Sequence, residues 1–192
     1  MASAPFILAS SSPRRLALLK DIGVTPDKVV AADIDETAKP RELPRSLAQR
    51  LAREKLEAVA KQNPKAFILA ADTVVACGRR ILPKAETPEQ VRECFELLSG
   101  RRHHVYTGVA IRSPQGKILE RVGDSTVIFA QMTKKQIEAY VAGGEGIGKA
   151  GGYAIQGMAA SYIRFMSGSY SNIVGLPLFE TAQILRSLGY WS

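Results

Sequence analysis

The sequence predicts an α/β fold, and three observations carry that expectation. Apolar runs of strand length, such as Phe6 to Ala9 and Phe67 to Ala76, alternate with longer stretches whose apolar residues recur at helical spacing. Helix-opening signatures head those longer stretches: Ser12-Pro13, Ser46 with Gln49, Thr87-Pro88 with Gln90, and Thr133 with Gln136. The 192 residues, 46% hydrophobic and 23% charged, are enough for one well-packed domain spanning 1–192, in one or two lobes.

Composition narrows the function classes. No apolar run approaches the roughly 18 residues of a membrane span, and no basic stretch precedes an apolar core at the N-terminus. A cytoplasmic protein without membrane contact is expected. Cys77 and Cys94 lack CxxC spacing and a neighbouring histidine, which disfavours a disulfide scaffold or a thiolate zinc site and leaves them as packing thiols. The net charge of +8 calls for an anionic partner. Nucleic-acid binders group Lys and Arg on one face with stacking aromatics between them. Here the basic residues are scattered and the aromatics few, so a compact polyanion fits better than nucleic acid.

Taken in order, Phe6-Ile7-Leu8-Ala9 reads as a buried strand, Ser10-Ser11-Ser12 as a loop, and Pro13 as the first position of a helix N-capped by Ser12. Such a helix start offers unpaired N–H groups and a positive dipole end, here beside three hydroxyls and the guanidinium groups of Arg14 and Arg15. It suits a phosphate, and equally an ordinary capped helix. Gly23 is expected to stop this helix, and Lys28 to Ala32 to form a short strand. Asp33, Asp35 and Glu36 follow within four residues, a cluster that is either solvated or gathers a cation such as Mg²⁺. Ser46 with Gln49 is expected to open a long helix with Leu47, Leu51, Leu56 and Val59 on one face and Lys55 solvated. In Phe67 to Ala76 an Asp72-Thr73 pair interrupts an apolar run that reads as a buried central strand. A carboxylate buried there is costly unless paired or bound to metal, which marks Asp72 as functional. Lys84 follows Pro83 in a loop ahead of the helix capped by Thr87, and Gly100 ends that helix. His103 to Ile111 and Ile118 to Phe129, joined by Ser113-Pro114-Gln115-Gly116, form a hairpin; His103 and His104 point to opposite faces and cannot share a metal or a triad.

Thr133 opens a further capped helix, after which Gly143 to Lys149 matches GxxxxGK and Gly146 to Gly151 matches GxGxxG. Both patterns need a strand before them and a helix after, and Ala150 replaces the hydroxyl of a true P-loop. A glycine-rich lid carrying Lys149 to an anion is the better expectation, running into an extended Tyr153-Ala154-Ile155. The segments from Ala154 to Leu176 read as strand and turn, and Pro177 starts a last helix docked by Phe179, Ala182, Ile184 and Leu185.

Taken together, the motifs resemble the Maf-type nucleoside triphosphate pyrophosphatases along nearly the whole chain. The pieces are Ala9-Ser10-Ser11-Ser12-Pro13-Arg14-Arg15, Asp35-Glu36-Thr37, Ala52-Arg53-Glu54-Lys55, Ala71-Asp72-Thr73-Val74-Val75, Lys84, Leu98-Ser99-Gly100, Lys149 to Gly157, and Val174-Gly175-Leu176-Pro177-Leu178. The resemblance implies a mixed, strongly twisted central sheet with flanking helices and two lobes around a nucleotide cleft, as in inosine triphosphate pyrophosphatases. It implies hydrolysis of a nucleoside triphosphate to monophosphate and pyrophosphate with Mg²⁺ or Mn²⁺. Asp72 matches the family's general base, and Arg14, Thr73 and Gln156 match its base-selecting positions. Ser10, Arg15, Glu36, Lys55, Lys84 and Lys149 match pocket positions, with Glu36 and Asp72 the expected metal ligands. Ile155-Gln156-Gly157 resembles the branch acting on thymidine and uridine triphosphates rather than the methylguanosine branch. One departure is the glycine-rich approach Glu145-Gly146-Ile147-Gly148 to Lys149. A homodimer is compatible with the sequence. The competing reading is a nucleotide- or nucleic-acid-binding regulator without turnover, which gives no reason to bury Asp72.

Overall fold

The computed structural model describes residues 4–191. A mixed sheet of seven strands forms the centre, with β1 (Phe6–Leu8), β2 (Lys28–Val29), β3 (Phe67–Cys77), β4 (Arg80–Leu82), β6 (Arg102–Arg112), β7 (Ile118–Phe129) and β9 (Ile163–Ser167). The order is β2-β1-β3-β6-β7-β9, with β4 folded back on β3. β1 runs parallel to both β2 and β3, while β6, β7 and β9 extend the sheet antiparallel. A separate pair, β5 (Lys84–Ala85) and β8 (Lys149–Ala150), is antiparallel. The helices are α1 (Pro13–Asp21), α2 (Pro44–Ala60), α3 (Pro88–Leu98), α4 (Lys134–Ala142), α5 (Tyr170–Val174) and α6 (Leu178–Ser187), plus a 3₁₀ turn Met158–Tyr162.

Alternation along β3 divides the core. Ile68, Ala70 and Val74 face α2, burying its Leu47, Leu51, Ala52, Leu56 and Val59. Leu69, Ala71 and Val75 face the larger cluster with Phe95, Leu98, Phe129, Tyr140 and Ile184. Asp72 lies on the α2 side, opposite Gly108 in the neighbouring strand. A Cβ at Gly108 would strike the Ala48 carbonyl, so the glycine lets the α2 backbone lie against the sheet.

Several expectations need correction. α2 begins at Pro44 with Leu43 as an N-cap lacking a side-chain bond, because Pro44 is itself a preferred first helical residue; Ser46 therefore lies inside the helix, and the Ser46–Gln49 box does not form. Ser12 holds the N-cap position of α1, yet its side chain does not cap. The expected strand from Lys28 to Ala32 pairs only at Lys28–Val29. α5 and the 3₁₀ turn stand where strand and turn were expected: the Ser169 hydroxyl accepts from the Asn172 amide and starts a single helical turn too short to show periodicity. Phe179 is 70% exposed; α6 docks through Thr181, Ile184 and Leu185, which lie on its other side. The caps at Thr87 and Thr133, the stop at Gly100 and the 102–129 hairpin form as expected.

Candidate active site

One cavity of about 350 Å³ opens at the C-terminal ends of β1 and the first half of β3, and all ten singled-out residues line it: Ser10, Arg14, Arg15, Glu36, Lys55, Asp72, Thr73, Lys84, Lys149 and Gln156. They arrive from several elements. The serine loop and α1 supply the first three, the long β2–α2 connection Glu36, α2 Lys55, mid-β3 Asp72 and Thr73, and the β5–β8 pair both Lys84 and Lys149.

At its floor Asp72 is 4% exposed and its Oδ1 is closely paired with Lys55 Nζ. The same ammonium meets Glu36 Oε1 at 2.7 Å, and Glu36 Oε2 accepts from Lys84 Nζ at 2.7 Å. Burial alone would raise the Glu36 pKa, but the two lysines override it and hold the carboxyl down at about 2. Lys55 is thus 7% exposed, against the expectation of a solvated face. Its position explains this: four residues from both Leu51 and Val59, it belongs to the inward stripe of α2, and Gly108 brings that stripe down onto Asp72. Of the three clustered carboxylates only Glu36 reaches the cavity; Asp35 Oδ1 instead accepts from the Thr37 amide, closing a local turn.

The opposite wall is a directional chain of hydrogen bonds. Arg15 Nε donates to the Gly175 carbonyl at 2.7 Å, Nη1 to Ser10 Oγ at 3.1 Å and Nη2 to Thr73 Oγ1 at 3.1 Å. Thr107 Oγ1 donates to the Asn172 carbonyl at 2.9 Å, which leaves Thr73 as donor in the 3.0 Å Thr73–Thr107 pair. Asn172, fully buried, donates to the Val105 carbonyl and Ser125 Oγ, both at 2.9 Å. Burial lowers the Arg15 pKa and the nearby Asp72 charge counters it; burial also lowers that of Arg14. Thr107 and Asn172 escaped the sequence reading. The signal for Thr107 was its place opposite Thr73 in the hairpin register, and Asn172 carried none beyond its Ser169 cap.

The glycine-rich stretch follows helix α4 and enters strand β8, so neither phosphate-loop pattern has its required context. The expected lid is tied down. Lys84 and Ala85 pair with Ala150 and Lys149, and the Gly148 and Gly151 amides donate to the Ala85 and Pro83 carbonyls at 2.7 and 3.0 Å. The expected extended run Tyr153-Ala154-Ile155 pairs with no strand: Tyr153 and Ala154 are irregular, and Ile155 and Gln156 form a turn closed by the Gly157 amide on the Ala154 carbonyl at 3.1 Å. His103 is buried against the Tyr153 hydroxyl at 2.8 Å while His104 meets Asp124, on opposite faces as expected. Among the described residues the Arg14 guanidinium and the Gln156 amide have no hydrogen-bond partner, no cluster of three His, Cys, Asp or Glu could hold a metal, and no helix is long and apolar enough to cross a membrane.

The sequence profile of the Maf-like proteins matches residues 5–188, and with it all the cavity's polar residues. The chain belongs to the Maf family. Proteins called dTTP/UTP pyrophosphatase from Granulibacter bethesdensis and Gluconobacter oxydans are 57% and 60% identical to this Maf chain, covering 98% and 94% of it and 95% and 85% of their own lengths. One from Caulobacter vibrioides is 53% identical over 99% of both chains. Among solved structures, a HAM1 protein from Coxiella burnetii superposes with a TM-score of 0.52 at 16% identity, over 96% of this chain and all of that one. That likeness concerns the Maf fold alone: a mixed central sheet flanked by helices.

Proposed function

We propose that this protein hydrolyses thymidine and uridine triphosphates, modified pyrimidine nucleotides among them, to monophosphate and pyrophosphate. The observation that carries the reading is the buried Asp72 carboxylate held by Lys55 at the floor of a cavity rimmed by Arg14, Arg15, Lys84 and Lys149. A triphosphate needs several cations to neutralise it, and attack on its α-phosphorus needs one base. Arg14, Lys84 and Lys149 meet the phosphates, and Arg15, fixed by Gly175, Ser10 and Thr73, contributes a preorganised charge beside Asp72. Asp72 accepts the proton of the attacking water, and Lys55 keeps it aimed. Gln156 and Arg14 face the base from the rim.

The donor set fits a divalent cation. Asp72 and Glu36 converge on a single ammonium, so two carboxylates already point at one positive centre, and two carboxylates plus substrate phosphates are the usual surroundings of Mg²⁺. Glu36 and Asp72 would hold it, and bound there it supplies charge neutralisation and a more acidic water. The relatives' names support the pyrimidine preference, and one profile spanning 5–188 supports a single domain over 1–192.

A panel of nucleoside triphosphates with Mg²⁺ or Mn²⁺, its products separated by chromatography, tests the reading. Monophosphate from thymidine and uridine triphosphates supports it. Binding without turnover favours the regulator.

A further inference from the structure

Glu145 lies outside the cavity, yet its carboxylate ties together the two segments that close it. Oε2 accepts from the Met158 amide at 2.7 Å, and Oε1 from the Tyr140 hydroxyl at 3.0 Å and the Ala159 amide at 3.4 Å. The two amides belong to the 3₁₀ turn that follows Gln156, whereas Glu145 itself precedes Lys149. The carboxylate therefore closes a ring of chain from 145 to 158 that contains both Lys149 and Gln156. A second observation matches the first: a Cβ at Gly157 would occupy the space taken by the Glu145 carboxylate, so the glycine admits it. Elsewhere the ring is held by the β5–β8 pairing on the Lys149 side and by Tyr153 on His103. The Ala154–Gly157 turn is thus fixed before Gln156 by Tyr153 and after it by Glu145.

We propose that Glu145 is a positioning residue that sets the Gln156 turn against the Lys149 strand, and so couples base recognition to triphosphate binding. The charge serves this geometry: a carboxylate offers acceptors enough for two backbone donors and a phenol at once, and hydrogen bonds to a charged acceptor are the strong ones. Tyr140 is suited to donate, since burial and the Glu145 charge raise its pKa and keep the phenol protonated. The coupling rests on the function proposed above, because it takes Gln156 to read the base.

The test uses Glu145→Ala and Glu145→Gln in the full chain. Amide hydrogen exchange should show Met158 and residues 146–157 less protected in Glu145→Ala and partly restored in Glu145→Gln, which keeps one acceptor oxygen. The KM for uridine triphosphate should rise about tenfold in Glu145→Ala, the size expected for losing a charged hydrogen bond. The uridine-over-cytidine ratio of kcat/KM should fall with it, and Glu145→Ala added to Gln156→Ala should lower that ratio no further. A Glu145→Ala variant that loses exchange protection but keeps the wild-type ratio overturns the proposal and leaves only a structural cap. If Glu145→Ala does not fold, Glu145→Gln carries the same readouts. A wild-type chain without turnover defeats the function instead, and the clasp is then judged on exchange alone, unchanged protection overturning it.

Discussion

In the proposed reaction Asp72 is the base, and Asp72→Asn isolates that role by keeping the shape while removing the base. Activity should fall by roughly 10² to 10⁴, with folding retained. Near-normal turnover in the purified variant would make Asp72 structural. Gln156 is the matching test for specificity: its amide offers a donor and an acceptor side by side, complementary to the N3–H and carbonyl of uracil or thymine, and its side chain is exposed at the cavity without a protein partner among the described residues. An unpaired polar group costs about 1–3 kcal/mol, so Gln156→Ala should narrow the uridine-over-cytidine ratio of kcat/KM roughly ten- to hundredfold. An unchanged ratio would move base selection to Arg14 and Thr73. Glu36 gives a pH prediction. Its folded pKa of about 2 lies below the ordinary 4.5, so its stabilisation is present above 4.5 and is lost as pH falls towards 2. Half-exposed, it contributes modestly. Thermal unfolding of wild type and Glu36→Gln should therefore differ at neutral pH and converge on acidification; a gap that widens in acid contradicts the pairing with Lys55 and Lys84. At this scale the buried, paired place of Asp72 was legible, because a carboxylate inside an apolar strand is costly unless something positive meets it. Lys55 was misread because lysines are counted as solvated, although its spacing from Leu51 and Val59 placed it inward.

The element that positions the site is α2, and what lets it do so is a residue in another element. Gly108→Ala drives a methyl group into the Ala48 carbonyl and lifts α2 from the sheet, moving Lys55 away from Asp72. Overpacking of this kind costs about 1–3 kcal/mol. Both the melting temperature and kcat should fall, whereas a drop in stability with kcat intact would mean that Lys55 follows Asp72 regardless of the helix. Long elements were readable because they carry many votes: β3, β6, β7 and the capped helices α3 and α4 announce themselves by run length, periodicity and Thr caps. Short ones did not. α5 is one turn held by Ser169, β5 and β8 are two residues each and exist only through their pairing, and both depend on tertiary contacts that no local pattern encodes. The serine loop and Arg14-Arg15 read locally as either a phosphate cradle or an ordinary helix start; the fold places them on the cavity with Asp72.

Across the whole molecule, Arg14, Arg15, Lys84 and Lys149, scattered in sequence, become one basic rim around a buried acid, an arrangement that suits the proposed compact polyanion. Raising salt from about 0.02 to 0.3 M should therefore raise the KM for uridine triphosphate while leaving kcat nearly constant, since screening weakens capture more than contacts already formed. A kcat that falls in step with capture would place the salt-sensitive charges in the chemical step. The central claim is narrower: water, activated at Asp72, attacks the α-phosphorus. Hydrolysis of uridine triphosphate in ¹⁸O-labelled water, with both products analysed by mass spectrometry, tests it directly. The account predicts uridine monophosphate carrying one ¹⁸O and unlabelled pyrophosphate. Label in the pyrophosphate, or release of uridine diphosphate with inorganic phosphate, would contradict it.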